Sequence, residues 1–238
     1  MSQGRSTDRA WDALEARILQ CRRCPRLVAW REEVARVKRR AYREQTYWGR
    51  PVPGFGDRRA RVLVVGLAPG AHGANRTGRM FTGDSSGDFL YRALYEAGFA
   101  NQPEARHRND GLTLQDMYIT AVCRCVPPKN RPTAEEIRNC LPFLVEEMRL
   151  LKPYLRVIVA LGRIAFEGVL RVYRDHLGHD VPRLHFAHGA VYPLGEGWPV
   201  LVASYHPSRQ NTQTGRLTRE MFADIWTQVH RLLEAGET

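Results

Sequence analysis

The chain has no long apolar run and very little lysine. Lysine occurs only at positions 38, 129 and 152 of the 238 residues. No uninterrupted apolar stretch reaches the roughly 18 residues that a membrane-spanning helix needs. The first twenty residues also lack the apolar core of a secretory signal peptide. These absences argue against a membrane-spanning helix and a secretory signal, and we expect a cytoplasmic protein with no membrane partner.

Negative charge is scarce relative to positive charge. Lys and Arg number 36 against 25 Asp and Glu, which gives a formal net charge of +11. Such an excess favours polyanions through phosphate contacts and counterion release, and the planar guanidinium of arginine suits phosphate. The preference for arginine over lysine has alternative explanations that do not involve a partner, namely genomic base composition and adaptation to heat. The overall basicity still indicates a nucleic-acid partner.

Only five cysteines are present, but four of them form two widely separated pairs. Cys21 and Cys24 are separated by two residues, and Cys125 and Cys140 follow much later. The first spacing lets two thiolates reach one metal centre, and in a reducing compartment such cysteines indicate ligands rather than disulfides. The residues alone leave open a four-cysteine zinc site or an iron–sulfur centre, and Cys123 is an alternative third ligand.

Four short apolar runs predict buried strands, and helical patterns lie between them. Strand–helix alternation predicts an α/β fold with a mainly parallel sheet, and without a clear linker we expect one domain over residues 1–238. Ligands of such folds bind beyond the carboxyl ends of the strands. The predicted strands are 61–66, 117–122, 156–162 and 198–204, the predicted helices are 8–20, 25–40, 86–98, 133–151, 163–175 and 216–236, and 48–60 is predicted as a loop.

Three motifs follow the first and last of these strands. GLAPG (66–70) and TGRMFTGD (77–84) come after the first strand, and YHPS (205–208) comes after the last. Together with the cysteine spacing, these motifs resemble the uracil-DNA glycosylase superfamily, and within it the iron–sulfur family 5 enzymes of bacteria and archaea. The resemblance covers roughly residues 12–230.

The resemblance implies a three-layer α/β/α sandwich around a central four-stranded parallel sheet. It implies a monomeric, monofunctional glycosylase that flips a damaged nucleotide out of DNA and hydrolyses its bond to deoxyribose, which initiates base excision repair. Uracil is the expected base. The three motifs contain no lysine, which argues against a Schiff-base lyase step.

The resemblance also assigns residues to the flipped nucleotide. His206 stands where the family has a histidine at O2 of the base, where a donor stabilises the developing negative charge. Phe81 matches the aromatic side chain that stacks on the base. Ala68, Pro69 and Gly70 belong to the loop that lies against the nucleotide. The alternatives are a structural histidine and a core phenylalanine.

The chain departs from better-known members at the position that handles water. Ala68 replaces their aspartate, and Leu67 stands where family 4 enzymes have glutamate. Asp84 is therefore our candidate for activating water or stabilising the sugar cation, with a helix N-cap as its alternative role. His72 is a second polar candidate for the pocket.

Base selectivity is expected to be loose. Ala121 stands where family 4 enzymes have the asparagine that reads the base, and fewer fixed polar partners discriminate less. We therefore expect other deaminated bases, hypoxanthine included, to be accepted, as the resemblance to family 5 also implies. Asn130 is a candidate contributor from the following loop.

The cysteines resemble the ligands of the family's 4Fe–4S cluster. The ligands would be Cys21, Cys24, Cys125 and Cys140, since Cys125 precedes the Pro-Pro of the family motif. Its expected role is to hold the loop 126–139 beside DNA, not to carry electrons.

The resemblance places further DNA contacts on the loop after the last strand. Ser208, Arg209, Gln210 and Asn211 are expected to probe the minor groove, with Gln210 at the position of an apolar wedge. Phosphate contacts are suggested for Arg79, Arg124 and Arg131, with solvated surface charge as the alternative.

Two other functions stay open. One is a non-catalytic protein that binds damaged DNA and has a structural iron–sulfur cluster, suggested by the missing carboxylate at Ala68. The other is a redox protein that uses the cluster.

Overall fold

Helices and strands alternate along the chain, as the apolar pattern predicts. The structure is a computed structural model that describes residues 2–235. The α-helices are α1 (Ser2–Leu19), α2 (Pro25–Val37), α3 (Ala74–Thr77), α4 (Ser85–Glu96), α5 (Ala134–Leu151), α6 (Arg163–His176), α7 (Arg209–Gln213) and α8 (Arg219–Ala235). The strands are β1 (Phe55–Gly56), β2 (Val62–Gly66), β3 (Met117–Ala121), β4 (Val157–Leu161), β5 (Val191–Pro193) and β6 (Val200–Ser204).

Four parallel strands form the centre of the sheet. Their order is β3-β2-β4-β6, and Val64 of β2 lies between Ile119 of β3 and Val159 of β4. The prediction of a four-stranded parallel core is confirmed. The sheet also has two short antiparallel edge strands, β1 and β5, which make six strands in all. Both edge strands were missed because two or three residues beside Gly and Pro carry no detectable periodicity.

Helices cover both faces of the sheet, which confirms the three-layer architecture. Leu63 and Val65 of β2 pack in one core cluster with α1, α5 and α6. Val62 and Val64 face the opposite way and pack with α4 and α8. Alternate residues of a strand point to opposite faces, so a run that is apolar throughout must be covered on both sides. No helix within residues 2–235 is long and apolar enough to cross a bilayer.

The second helix ends earlier than its sequence pattern indicates. α2 stops at Val37, Lys38 adopts a φ of 57°, and a short 3-10 turn follows at Arg40–Tyr42. A left-handed residue ends a helix and redirects the chain. The segment after α2 therefore turns away and packs against the loop that follows β2.

Candidate active site and cysteine cluster

Two aromatic rings meet beyond the carboxyl ends of β2 and β6. The ring centroids of Phe81 and His206 are 5.7 Å apart, and their planes are inclined by 31°. Glycines make this approach possible. A Cβ on Gly66 would lie 2.7 Å from Cζ of Phe81, and one on Gly162 would lie 3.3 Å from Cβ of His206. The fold thus brings together the two side chains that the sequence analysis assigned to the base.

The backbone at Phe81 is unusual for a residue with a bulky side chain. Its φ is 50°, in the left-handed region that normally favours glycine. The conformation is held from both sides. Tyr91 donates a hydrogen bond of 2.8 Å to the carbonyl of Met80, and Gly87 packs so closely that a Cβ would lie 1.8 Å from the Phe81 carbonyl oxygen. Such strain tends to persist where a side chain must be aimed at a ligand.

His206 is held through its backbone, which leaves its ring free. Its carbonyl oxygen accepts hydrogen bonds from the Ser208 amide at 2.7 Å and from Nδ2 of Asn211 at 2.8 Å. Neither ring nitrogen makes a hydrogen bond within the part of the chain that the structure describes. Burial lowers the pKa of His206 to about 4. The imidazole is therefore neutral near pH 7 and has one N–H to donate.

Asp84 is the N-cap of α4. Its Oδ1 accepts hydrogen bonds of 3.1 Å from the amides of Ser86 and Gly87. Its Oδ2 lies against the loop after β2, since a Cβ on Gly73 would be 1.9 Å from that atom and one on Gly70 would be 2.7 Å away. Burial is the main reason that the pKa of Asp84 is raised. The capping alternative is confirmed, and the second carboxylate oxygen still faces the candidate site.

A cavity of about 460 Å³ opens beside Asp84. His72 lines it, and Nδ1 of His72 lies 3.0 Å from the hydroxyl of Tyr47. Burial, with the charges of Arg39 and Arg76, lowers the pKa of His72, so this imidazole is also neutral. In the loop after β2, Pro69 is buried and Ala68 is half-buried. The cavity wall consists of Arg39, Tyr42, His72, Gly83, Asp84, Ser85, Arg209, Thr212 and Gln213.

Other residues assigned from the sequence lie in different settings. Asn130 is exposed on a 3-10 turn with a φ of 55°, and no contact within residues 2–235 joins it to the ring pair. Ser208 caps α7 by accepting from the Asn211 amide, and Asn211 holds the His206 carbonyl. Arg209 and Gln210 are exposed. The loop thus has two residues that shape it and two that face outward.

Two of the three suggested phosphate contacts are wrong. Arg79 is only 3% exposed and is paired with both carboxylate oxygens of Asp110, at 2.7 and 2.8 Å. Arg124 is 1% exposed and is paired with buried Glu147. Both guanidinium groups are neutralised inside the protein, so neither can reach DNA. Arg131 is exposed, as a phosphate contact requires.

The four assigned cysteines line one small cavity. Cys125 lies there, whereas Cys123 is buried outside its lining. All five cysteines are free thiols. No group of three or more His, Cys, Asp or Glu within residues 2–235 is arranged to hold a single metal ion. The cavity lies between the end of α1, the start of α2 and the middle of α5.

Hydrogen-bond donors point at three of these sulfur atoms. Arg31 donates to Sγ of Cys125 at 2.9 Å, the amide of Arg124 donates to Sγ of Cys140 at 3.2 Å, and Asn139 donates to Sγ of Cys24 at 3.8 Å. Donors that surround thiolates are the outer shell that an anionic sulfur-ligated centre requires. The donor set therefore fits an iron–sulfur cluster.

Sequence reasoning missed the contribution of Arg31. This arginine is 2% exposed and occupies the buried face of α2 with Leu27, Val28 and Val34. A charged residue on an apolar helical stripe is a signal that such a side chain has a buried partner. The spacing of positions 27, 28, 31 and 34 could have revealed it.

Comparison with known proteins identifies the class. A model of the Uracil DNA glycosylase superfamily matches residues 53–230. The chain belongs to this superfamily.

Curated relatives narrow the resemblance to its type-5 members. A type-5 uracil-DNA glycosylase of Thermus thermophilus is 56% identical over 221 residues, which is 93% of this chain and 97% of the relative. A type-5 enzyme of Pyrobaculum aerophilum is 48% identical over 92% of both chains. A type-4 enzyme of the same organism is 33% identical over 66% of this chain and 71% of its own length. The resemblance to family 5 is confirmed.

Proposed function

We propose that this protein is a monofunctional uracil-DNA glycosylase that initiates base excision repair by hydrolysing the N-glycosidic bond of uracil in DNA. The observation that carries the proposal is the ring pair. Phe81 and His206 come from distant parts of the chain and meet, 5.7 Å apart, beyond the ends of parallel strands. The two type-5 uracil-DNA glycosylases named above match nearly the whole chain, which supports the same activity here.

Phe81 and His206 act on the base. The flipped uracil stacks on the ring of Phe81, which is worth roughly 1–3 kcal/mol. As the glycosidic bond breaks, its electron pair passes to the uracil, and the N–H of neutral His206 stabilises the negative charge that develops on O2. A neutral donor suits this task because it forms its strongest interaction only as that charge appears.

Asp84 acts on the sugar and on water, and His72 is a polar group of the pocket. The deoxyribose becomes cation-like as the base leaves, and water then adds to C1′ and gives up a proton. Ala68 has no group for either task. Oδ2 of Asp84 faces the loop 70–73 and lies beside the cavity that His72 lines. A carboxylate there stabilises the cation or accepts the proton of water.

The pocket is expected to accept bases other than uracil. Ala121 ends β3 and is buried, so it offers only a methyl group where an amide would read the base. Without that partner, uracil and other deaminated bases such as hypoxanthine differ less in binding. A panel of duplexes that each carry one deaminated base measures this directly. A strict preference for uracil would contradict the assignment of Ala121.

Cys21, Cys24, Cys125 and Cys140 are proposed to hold a 4Fe–4S cluster. When bound, the cluster supplies a covalent link between the N-terminal helices and the loop 126–139, near exposed Arg131. Its expected signature is brown colour with visible absorbance and about four irons per chain. Zinc without visible absorbance would favour the four-cysteine zinc site instead.

The loop of Ser208, Arg209, Gln210 and Asn211 is proposed to enter the minor groove. Arg209 and Gln210 are exposed at its tip, while Ser208 and Asn211 fix its shape next to His206. We further propose that the chain acts as a monomeric single domain in the cytoplasm. Its five free cysteines suit a reducing compartment.

Alkali treatment after incubation with a uracil-containing duplex tests the main proposal. The wild-type protein should leave abasic sites that alkali converts into strand breaks, and it should leave no breaks without alkali. Binding without alkali-labile sites would favour a second candidate function, that of a non-catalytic protein that binds damaged DNA. The observation that favours this candidate is the absence of a carboxylate at Ala68. A matched duplex with thymine in place of uracil is the control.

A further inference from the structure

A strongly basic stretch lies outside the part of the chain that matches the superfamily model. Residues 38–47, here called the basic segment, precede the matched region of 53–230. The segment contains Lys38, Arg39, Arg40 and Arg43, and its single acidic residue is Glu44. Such a concentration of positive charge needs either acidic partners or a polyanion.

The basic segment is fixed to the candidate site through Arg76. The guanidinium of Arg76 donates to the carbonyls of His72 and Gly83, both at 2.7 Å, and to Oε1 of Gln45 at 2.5 Å. It also lies 4.0 Å from the centre of the Tyr42 ring. One arginine thus ties the basic segment to two residues that line the cavity, His72 and Gly83, so the segment has a defined position there.

Arg39 of the basic segment and Arg209 of α7 line the same cavity. The Tyr47 hydroxyl that contacts His72 also accepts a hydrogen bond from the Arg39 amide at 3.3 Å. The charge of Arg39 is close enough to lower the pKa of His72. The carboxylate of the cavity itself is Asp84, whose Oδ1 is engaged in capping α4.

The arginines of the basic segment, together with Arg209, differ from other surface arginines because they lack acidic partners. Arg36 is paired with Glu33, and Arg92 is paired with Glu96. Within the described residues, no ion pair is formed by Arg39, Arg40, Arg43 or Arg209. The exposed guanidinium groups of Arg39 and Arg209, which line one cavity and have no acidic partner among the described residues, are suited to bind phosphates.

We propose that the basic segment is a second DNA-binding surface, on which Arg39, in the same cavity lining as Arg209, binds a backbone phosphate next to the extruded nucleotide. The inference rests on the proposed function, because it takes DNA as the substrate. It adds a region outside the superfamily match, and it assigns a ligand to both arginines that line the cavity. The ligand chemistry is a phosphodiester of the strand that carries the damaged base.

The salt dependence of DNA binding tests this second surface separately from catalysis. The probe is a labelled duplex with one tetrahydrofuran abasic-site analogue, titrated with holoprotein at several KCl concentrations. Each lost phosphate contact should reduce the slope of log K against log salt by about 0.9. Arg39→Ala should show this loss and Arg39→Lys should largely retain the slope. The control Arg92→Ala removes the same charge from a paired arginine and should leave the slope unchanged.

The outcomes separate the second DNA-binding surface from the glycosylase assignment. A reduced slope for Arg39→Ala alone supports the surface, even if uracil is never cleaved. Equal slopes for Arg39→Ala, Arg92→Ala and wild type overturn it, even if uracil is cleaved normally. Equal losses in Arg39→Ala and Arg92→Ala also overturn it, since they show a general charge effect. The thermal unfolding temperature of each variant shows whether the substitution has left the fold intact.

Discussion

The ring pair and the cysteine cluster are built in opposite ways. At the cysteine cluster, protein donors point at the sulfur atoms of Cys24, Cys125 and Cys140. At the ring pair, the backbone of His206 is firmly held while its ring nitrogens have no partner among residues 2–235. A structural centre satisfies its polar groups within the protein, whereas a site for chemistry keeps them available for a substrate.

Arg31 and Asn75 connect the two regions. Arg31 donates to Cys125, and its carbonyl accepts a hydrogen bond of 3.2 Å from the buried side chain of Asn75. The backbone amide of Asn75 in turn donates a hydrogen bond of 3.0 Å to the carbonyl oxygen of Gly70. The loop that faces Asp84 is thus tied to the cysteine cluster through two buried side chains. We therefore expect loss of the proposed iron–sulfur cluster to affect the candidate active site as well.

The largest expected effect comes from breaking the cysteine cluster. Cys140→Ser should abolish the visible absorbance and destabilise the protein by several kcal/mol, because metal binding and folding are coupled. Cys123→Ala is the matched control: it removes a buried thiol outside the cavity lining and should retain the colour. Absorbance and thermal unfolding measure both. Equal bleaching by the two substitutions would show that the third ligand is wrongly assigned.

Removal of the His206 ring should be the largest purely catalytic defect. His206→Ala should lower kcat about 100-fold or more, by analogy with the loss of an oxyanion-hole donor. Binding to an abasic duplex should change little. Exposed His176→Ala serves as the control, and full turnover by His206→Ala would remove the residue from the mechanism.

The free energy of unfolding at acid pH should also depend on the protonation of His206. Burial lowers the pKa of His206 in the folded protein from the ordinary value of 6.5 to about 4. Because the unfolded chain binds this proton first, His206 should cause stability to fall as the pH drops from 6.5 to about 4. His206→Gln should lose stability less steeply over that range in thermal unfolding.

Asp84 offers a way to separate capping from chemistry. Asp84→Asn should preserve the N-cap of α4, because asparagine caps as well as aspartate, but should reduce kcat about 100-fold if the charge is used. Asp84→Ala should in addition cost about 1 kcal/mol of stability. An equal kcat in the wild type and in Asp84→Asn would show that Asp84 serves only as the N-cap of α4.

The pH dependence of the rate gives a second measure of Asp84. Burial raises the pKa of Asp84, so the carboxylate is lost at a higher pH than usual during acidification. The wild-type rate should decline there, and Asp84→Asn should lack that decline. In thermal unfolding, ionisation of the buried group destabilises the fold as the pH rises through the raised pKa, and Asp84→Asn should remove this cost.

The smallest expected effect is the loss of stacking on Phe81. Phe81→Leu should lower kcat/KM roughly 5- to 150-fold, which corresponds to 1–3 kcal/mol. Phe89→Leu is the control, because Phe89 packs against Phe222 on α8, at 5.4 Å between centroids, away from the ring pair. A rate unchanged by Phe81→Leu would show that the platform is not used.

Much of the fold could be predicted because its signals are local. All four central strands were found within two residues of their ends, since apolar runs such as 61–66 have no alternative to burial. The ends of helices were predicted less accurately than the strands. α2 ends at Val37 rather than at residue 40 because Lys38 adopts a positive φ of 57°. The edge strands β1 and β5 were missed because they are too short to show a period.

The partners of individual charged side chains could not be predicted. Arg79 and Arg124 have no local feature that distinguishes them from exposed Arg131, yet both are neutralised by buried carboxylates. Their partners, Asp110 and Glu147, lie 31 and 23 residues away in the chain. Which charges meet depends on how the layers pack.

The sequence by itself determined the parallel sheet, the cysteine pairs and the motifs at the strand ends. Periodicity and spacing are properties of neighbouring residues, so they can be read without coordinates. Only the tertiary structure decided that Phe81 meets His206, that Asp84 caps α4, and that Arg39 of the basic segment lines one cavity with Arg209. These are encounters between distant residues, and they follow from packing the whole chain around one sheet.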